Sequence, residues 1–317
     1  MKLKFIILHV ALGLLFSAES PTEVTNDTGF QYSFKSNGNG LVKFSTPEYT
    51  FDSFEGDDGK IYKKPVLSNS SFTSEAGLPD LPSRTTFIAV DPSKNYTLEV
   101  TYGSSRSVEN IDIAPKGSWD NDDNEIISTS MSYSSIENFY PEKIATISEP
   151  MAMRELSLLT LTVSPFRYFP EEKRLEEFLD IEIEFIESGN RETTMFYPSK
   201  RSRAFEPLYE SLVENYSSLN REYIPYQRPS ILYVLPNNIG NLLGTVEVLM
   251  DWKRRQGYEV NYISSSNIVN NANNLKNYIE TAYEGWDNPP EYVTIVGDAE
   301  GSYDIPCLLY TSPSPRD

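Results

Sequence analysis

The hydrophobic pattern of the chain changes once, near residue 230, and this change limits the folds that the sequence can adopt. Before it, apolar and polar residues alternate strictly in segments such as YTLEVTY (96–102), LTLTV (159–163) and IEIEF (181–185). After it comes a continuous apolar run, ILYVL (231–235). Strict alternation is typical of a strand with one buried face, whereas a continuous run is typical of a strand covered on both faces. The sequence therefore predicts a multidomain chain with two architectures.

Residues 21–200 are predicted to form a β-rich domain. Turn-forming clusters such as NGNG, DDG, DPSKN and PEEK separate its alternating segments. Many short strands with such turns between them indicate an antiparallel, sandwich-like arrangement.

Residues 229–306 are predicted to form an α/β unit with the order β-α-β-α-β. Leu242, Val246 and Leu249 give its first helix an apolar stripe, and Gly257 is expected to end that helix. This order predicts a parallel sheet with right-handed crossovers. Ligands and chemistry gather at the carboxyl ends of the strands in such sheets.

Residues 201–228 are predicted to be an exposed linker with a short helix that Pro207 opens. Proteolysis concentrates in exposed loops, so the arginines of this segment are candidate cleavage sites. Arg221 is the first choice because it follows the helix and precedes an extended Tyr-Ile-Pro segment. Arg228 is second because a proline follows it, and Arg201 is third because cleavage there leaves the helix on the second domain. Alternatively, these arginines simply pair with acidic neighbours.

Residues 1–20 are predicted to be a secretory signal peptide. A basic start precedes the apolar run Phe5–Phe16, and Ala18 and Ser20 form the small-x-small pattern of a cleavage site. A transmembrane anchor is the alternative, but a helical span needs about 20 apolar residues. The mature protein is therefore expected to be secreted or at the cell surface. Cleavage also removes His9, the single histidine of the chain.

The net charge of the chain is −19 at pH 7. Such an acidic protein repels nucleic acids and anionic membrane surfaces. No other segment is long and apolar enough to span a bilayer. We therefore expect neither nucleic acid nor membrane as a partner.

Residues 307–317, CLLYTSPSPRD, follow neither a helical nor a strand period. Their back-translation in one frame resembles the transposase mosaic end and adapter of sequencing libraries. We expect this segment to be an artefact and the genuine sequence to break off near Pro306. Cys307, the single cysteine, then has neither a catalytic nor a structural role. A chain without other cysteines fits an extracytoplasmic protein that does not rely on disulfides.

Several motifs of the second half occur in a characteristic order: DWK, a basic glycine-terminated helix end, NPPEYV, VGD and IP. Together they resemble the gingipain-type cysteine peptidases, a secreted family with a caspase-like fold. Residues 75–92 and 163–185 resemble the β-rich propeptide that precedes such catalytic domains. The motif residues are Asp251, Trp252, Lys253, Gly257, Pro289, Pro290, Gly297, Asp298 and Pro306.

The resemblance implies a secreted cysteine endopeptidase zymogen whose propeptide contacts its catalytic domain. Its substrates would be proteins or peptides, and no cofactor would be required. The family places a catalytic histidine and then a cysteine well downstream of the VGD strand, so no catalytic residue carries over to this chain. The chain as given is therefore expected to be inactive.

Two other functions stay open. The first is a non-catalytic cell-surface protein with a binding β domain and a peptidase-like domain that has lost its catalytic pair. The second is a surface transpeptidase that processes secreted cargo. The sequence downstream of the VGD strand would distinguish them.

Some motif residues have plain structural interpretations. Trp252 is expected to pack its helix against the sheet, and Lys253 to complement the negative helix end. Asp298 is expected to bind loop amides or to line a cleft. With Glu300 and Asp304, it could also help to bind a structural calcium ion through carboxylate oxygens, although no recognisable calcium loop is present.

Overall fold

The computed structural model describes residues 29–306 except 37, 57, 73–74, 120–124, 127–132, 134–135, 194 and 299–300. The predicted signal peptide with His9, Ala18 and Ser20 lies outside the described residues. So do Glu300 and the tail 307–317 with Cys307. The predictions that concern these residues stay predictions.

Antiparallel strands build the first part of the described chain. They are β1 (Phe30–Phe34), β2 (Gly40–Ser45), β3 (Tyr49–Glu55), β4 (Ile61–Leu67), β5 (Ser71–Phe72), β6 (Pro82–Ala89), β7 (Lys94–Tyr102), β8 (Ser105–Val108), β9 (Ser118–Trp119), β10 (Glu125–Ile126), β11 (Ala145–Ile147), β12 (Met151–Met153), β13 (Leu156–Val163), β14 (Phe166–Phe169), β15 (Arg174–Phe178) and β16 (Asp180–Asn190). The alternation read from the sequence is present in β7, where Tyr96, Leu98 and Val100 are half-buried and the intervening residues are exposed.

Two larger sheets face each other across the main core of this β-rich part. One has the strand order β1-β2-β16-β7, and the other has the order β11-β13-β6-β5 with β12 also paired to β13. The core between them takes Val42 and Ile183 from the first sheet and Ile88 and Leu161 from the second. The predicted antiparallel, sandwich-like architecture is therefore confirmed.

Smaller sheets flank this sandwich. Strands β14, β15 and β8 form a three-stranded sheet, while β3 pairs with β4 and β9 pairs with β10. Phe166, Tyr168 and Leu175 from the three-stranded sheet form a second core with Leu81 and Ile113.

The second part of the chain contains the helices and a parallel sheet. Its elements are α1 (Glu206–Leu212), a 3₁₀ turn (Tyr216–Ser218), β17 (Ser230–Val234), α2 (Leu242–Arg255), β18 (Glu259–Ile263), α3 (Ser266–Val269), α4 (Ala272–Gly285) and β19 (Tyr292–Ile295). Strand β17 lies between β18 and β19, and both pairings are parallel. All five residues of β17 are buried, as the continuous apolar run predicts. This part is the expected start of a caspase-like α/β domain.

Helix α2 is rotated relative to the predicted stripe. Leu242 and Leu249 are exposed, and the residues that pack against the sheet are Leu243, Val246 and Met250. The prediction was wrong for two of its three residues, because the packed face lies about one residue further along the helix.

Within the described residues, no helix is long and apolar enough to cross a membrane.

Candidate functional site at the domain junction

The segment between β16 and β17 is packed into the fold, which corrects the expectation of an exposed linker. Tyr209 and Val213 from helix α1 and the residues after it are buried against Leu156 and Leu158 of the β-rich domain. The side-chain amide of Asn215 forms two hydrogen bonds with the backbone of Ala89, the last residue of β6. It accepts from the Ala89 N–H at 2.8 Å and donates to the Ala89 carbonyl oxygen at 2.9 Å. Helix α1 begins with a proline in its first turn, as predicted.

Arg221, the first candidate for cleavage, is buried with 6% of its surface exposed. Its Nη2 lies 2.9 Å from Oε1 of Glu155, and its Nη1 donates to the Tyr216 hydroxyl at 3.0 Å. The Arg221 carbonyl oxygen also accepts a hydrogen bond from Nη1 of Arg201 at 3.1 Å. The expectation that this arginine is exposed was wrong because buried acceptors hold its guanidinium in the interior.

Glu155 is the acceptor at the centre of this arrangement. Its side chain is only 4% exposed, so its charge needs partners. Besides Arg221, it has the Tyr209 hydroxyl at 3.1 Å and the backbone N–H of Ser202 at 3.4 Å. Nε of Arg154 lies 3.6 Å from its Oε2 atom.

Glu206 is a second acceptor beside the first, and it is half-buried. Arg201 binds it through Nε and Nη2, at 2.8 and 2.9 Å, and the Tyr216 hydroxyl donates to it as well. Burial acts to raise the pKa of Glu206, but these hydrogen bonds outweigh it and the pKa is lowered. The bond to Glu206 raises the pKa of Arg201. We call Glu155, Arg201, Glu206, Tyr216 and Arg221 the junction cluster.

Arg154 connects the β-rich domain to the α/β part. Its Nη2 donates to the side chain of Gln227 at 2.7 Å, and its Nη1 lies 3.4 Å from the Pro290 carbonyl oxygen. The guanidinium also lies 5.6 Å from the ring centre of Tyr283 on α4. Gln227 and Ser230 donate to the neighbouring Pro289 carbonyl at 3.0 and 2.6 Å. The two prolines of the NPP motif therefore present their carbonyls to the junction.

The other candidate cleavage residues lie in different surroundings. Arg228 is exposed, and its Nε donates to the carbonyl of Gly257 at 2.9 Å. Arg201 is half-buried and belongs to the junction cluster. The structure shows where these arginines lie, while cleavage at any of them stays a prediction.

The DWK motif lies at the end of helix α2. Asp251 pairs with Arg254 one turn later, at 2.7 Å. Trp252 is 49% exposed, so the expectation that it packs against the sheet was wrong. It lies on the outward face of the helix, with the Lys253 ammonium 4.9 Å from its ring centre. Gly257 follows the helix with a φ of +96°, which suits glycine.

The VGD motif follows the carboxyl end of β19 and bends at Gly297. A Cβ atom on Gly297 would lie 2.7 Å from the Tyr303 carbonyl oxygen and from the Ile305 side chain, so only glycine fits there. The backbone of Asp298 bonds that of Tyr303 and Ile305, at 3.0 and 2.9 Å. Pro306 lines an apolar hollow beside α4.

The calcium site stays a prediction. Among the described residues, no group of three or more carboxylate, histidine or cysteine side chains is placed to hold a metal ion. Asp298 and Asp304 are both exposed and form an isolated backbone bridge. Glu300 lies outside the described residues.

The described residues include no cysteine thiol and no histidine imidazole that could take part in peptide-bond hydrolysis. The single cysteine and histidine of the sequence, Cys307 and His9, both lie outside the described part of the chain. The junction residues that the sequence interpretation missed are Arg154, Glu155, Glu206 and Gln227. One signal was available, because Arg154 and Glu155 form a charged pair inside the apolar stretch MAMRELSLLTLTV.

Two family models match the chain. One match ends before Arg221, the last residue of the junction cluster, and the other begins after it. The model Propeptide_C25 matches residues 32–216. The model of peptidase family C25 matches residues 224–312. The first match alone covers more than half of the chain, and Arg221 lies in the gap between the two.

Curated relatives and a solved structure agree with these matches. The chain is 26% identical over 281 residues to gingipain R2 of Porphyromonas gingivalis, which covers 84% of this chain and 36% of that protein. It is 25% identical over 250 residues to gingipain R1 of the same species, covering 77% of this chain and 25% of that protein. The structure of the complex of P. gingivalis RgpB pro- and mature domains matches with a TM-score of 0.53 and 22% identity. It covers 60% of this chain and 98% of the matched chain, a likeness of fold.

Proposed function

The chain belongs to the gingipain-type C25 peptidase family, and on this premise we propose that it is the N-terminal part of a secreted cysteine endopeptidase zymogen. The observation that carries the proposal is the order of the two family matches, a propeptide followed by a peptidase domain. The chain spans 36% of the length of the first relative, and the activity is proposed for the whole protein and not for the described residues.

In this proposal the catalytic cysteine and histidine lie C-terminal to Pro306. The cysteine attacks the peptide carbonyl as a thiolate, and the histidine takes up and returns the proton. Backbone N–H groups stabilise the oxyanion that forms. The role of the described residues is to present the propeptide to the peptidase domain, and the contacts of Arg154 with Gln227 and Pro290 support that role.

Maturation is proposed to cut the bond after Arg221. This residue lies between the end of the propeptide match at residue 216 and the start of the peptidase match at residue 224. Arg228 and Arg201 rank behind it. The predicted signal peptide supports a process outside the cytoplasm.

The proposal is tested by comparing two proteins. Residues 21–306 should show no turnover of mixed peptide substrates, whereas the protein from the complete reading frame should hydrolyse them and lose activity on thiol alkylation. Turnover by purified residues 21–306, or activity of the complete protein that survives alkylation, would contradict the proposal.

A further inference from the structure

We infer that the junction is a cryptic processing site, in which Glu155 and Arg201 hold Arg221 so that the bond after it cannot be cut until both contacts open. We call this pair of contacts the Arg221 latch. The inference rests on the proposed function in one respect, the choice of Arg221–Glu222 as the bond that maturation cuts.

The backbone around Arg221 has the features of a cleavable loop. Glu222, Tyr223 and Pro225 are exposed, and the Tyr223 side chain is 77% exposed. The segment belongs to no helix or strand. Such a surface segment is where proteases cut, so no helix or strand protects this bond.

The protection comes from the Arg221 side chain, which points away from solvent. A protease that cuts after a basic residue must take that side chain into its own pocket. Here the guanidinium is held by Glu155 at 2.9 Å and by the Tyr216 hydroxyl at 3.0 Å. Its centre also lies 5.6 Å from the ring centres of Tyr209 and Tyr216. Removing one partner of a buried ion pair is strongly unfavourable, so the free side chain is rarely available.

The carbonyl of the bond is held as well. Its oxygen accepts a hydrogen bond from Nη1 of Arg201 and one from the backbone N–H of Ile224, at 3.1 and 3.0 Å. A protease must bind this same oxygen in its oxyanion hole. Arg201 is fixed in turn by the two bonds to Glu206, so the carbonyl contact opens only when Arg201 moves.

Arg203 provides an internal comparison. It lies two residues from Arg201 in a turn, it is exposed, and so is Ala204 after it. The guanidiniums of Arg201 and Arg203 both lie 4.4 Å from the ring centre of Tyr226, yet only Arg201 is bonded to Arg221 and Glu206. Substitution of Arg203 therefore removes a charge and a ring contact without touching the latch.

Limited digestion with trypsin tests the latch directly. The chain, its Glu155→Gln variant and its Arg201→Ala and Arg203→Ala variants are digested under native conditions, and the fragments are timed by mass spectrometry. The rate of cleavage after Arg221 should rise at least about tenfold in Glu155→Gln relative to the rate after Arg203 in the same molecule. Arg201→Ala should also accelerate cleavage after Arg221, and Arg203→Ala should leave that rate unchanged.

Two results would overturn the inference. One is cleavage after Arg221 in the unsubstituted chain at the same rate as after Arg203. The other is an equal acceleration of both bonds in Glu155→Gln, which would mean general loosening; a thermal unfolding curve of each variant checks this point. Because trypsin cuts the bond in this experiment, the latch is tested independently of any activity of the complete protein. A mature protein that begins elsewhere would refute the choice of bond and leave the digestion result standing.

Discussion

Two adjacent residues, Arg154 and Glu155, form the loop of the tight hairpin between β12 and β13. They contact different segments of the chain at the junction. Arg154 adopts a left-handed backbone conformation with a φ of +51°, which is uncommon for a residue with a side chain. Arg154 bonds the α/β part, and Glu155 bonds Arg221. A hairpin loop is normally solvent-exposed, so its burial here marks a contact between domains.

Substitution of Arg154 should therefore weaken the whole junction. We expect Arg154→Ala to lower the free energy of unfolding by about 3 kcal/mol, because it leaves buried acceptors without a donor. Arg154→Lys should not restore it, since lysine lacks the planar fork. The matched control is Arg191→Ala, whose partner Glu149 is exposed, with a loss of about 0.5 kcal/mol. Denaturant unfolding measures both, and equal losses would contradict this account of the junction.

The cluster should also respond to alkaline pH through Tyr216. Burial, together with its bond to Glu206, raises the pKa of Tyr216 to about 12. An unfolded tyrosine ionises near pH 10, so the stabilisation is complete below about pH 10 and is lost as the pH rises towards 12. Denaturant midpoints from pH 9 to 11 should fall, and Tyr216→Phe should reduce the slope. An unchanged slope in the variant would show that other groups cause the loss.

At the scale of elements, the sequence predicted the strands of the β-rich domain well because one-sided burial imposes alternation. It also predicted the parallel strand β17 from its continuous apolar run. The predicted orientation of α2, a helix that begins after its N-cap residue Asn241, was wrong. A helix that displays apolar residues on both sides does not reveal from its spacing which side meets the sheet. Val248, Leu249 and Trp252 remain exposed, at 66%, 44% and 49%.

Two neighbouring positions on α2 test that orientation. Met250→Ala should destabilise the chain by about 2–5 kcal/mol, because it leaves a cavity against the sheet. Leu249→Ala should change the free energy of unfolding by less than about 0.5 kcal/mol, because its side chain already contacts water. Denaturant unfolding of the two variants decides the matter. A larger loss of unfolding free energy for Leu249→Ala than for Met250→Ala would contradict this orientation and support the predicted stripe.

At the scale of the whole molecule, the sequence predicted two architectures and a basic junction but not the junction's packing. Glu155 and Arg221 are 66 residues apart in the chain, and their contact depends on how α1 docks on the sandwich. Local periodicity contains no information on such a distant pairing. The same reasoning explains why the predicted domain boundary at residue 200 leaves out side chains that complete the β-rich core.

The boundary is testable with two pieces of the chain. Residues 21–219 keep Tyr209 and Val213 in the core, whereas residues 21–200 lose both. Burial of one large side chain stabilises a fold by about 2 kcal/mol, so the longer piece should be more stable by about 4 kcal/mol. Circular dichroism should show mainly strand in both pieces. Equal unfolding midpoints would support residue 200 as the boundary and contradict the packed junction.

The central claim is that the β-rich domain is a propeptide removed at the junction. The most direct test is N-terminal sequencing of the mature protein produced from the complete reading frame and recovered outside the cytoplasm. The account predicts a start at Glu222, immediately after Arg221. A mature protein that begins at Pro21, with the β-rich domain still attached, would contradict it.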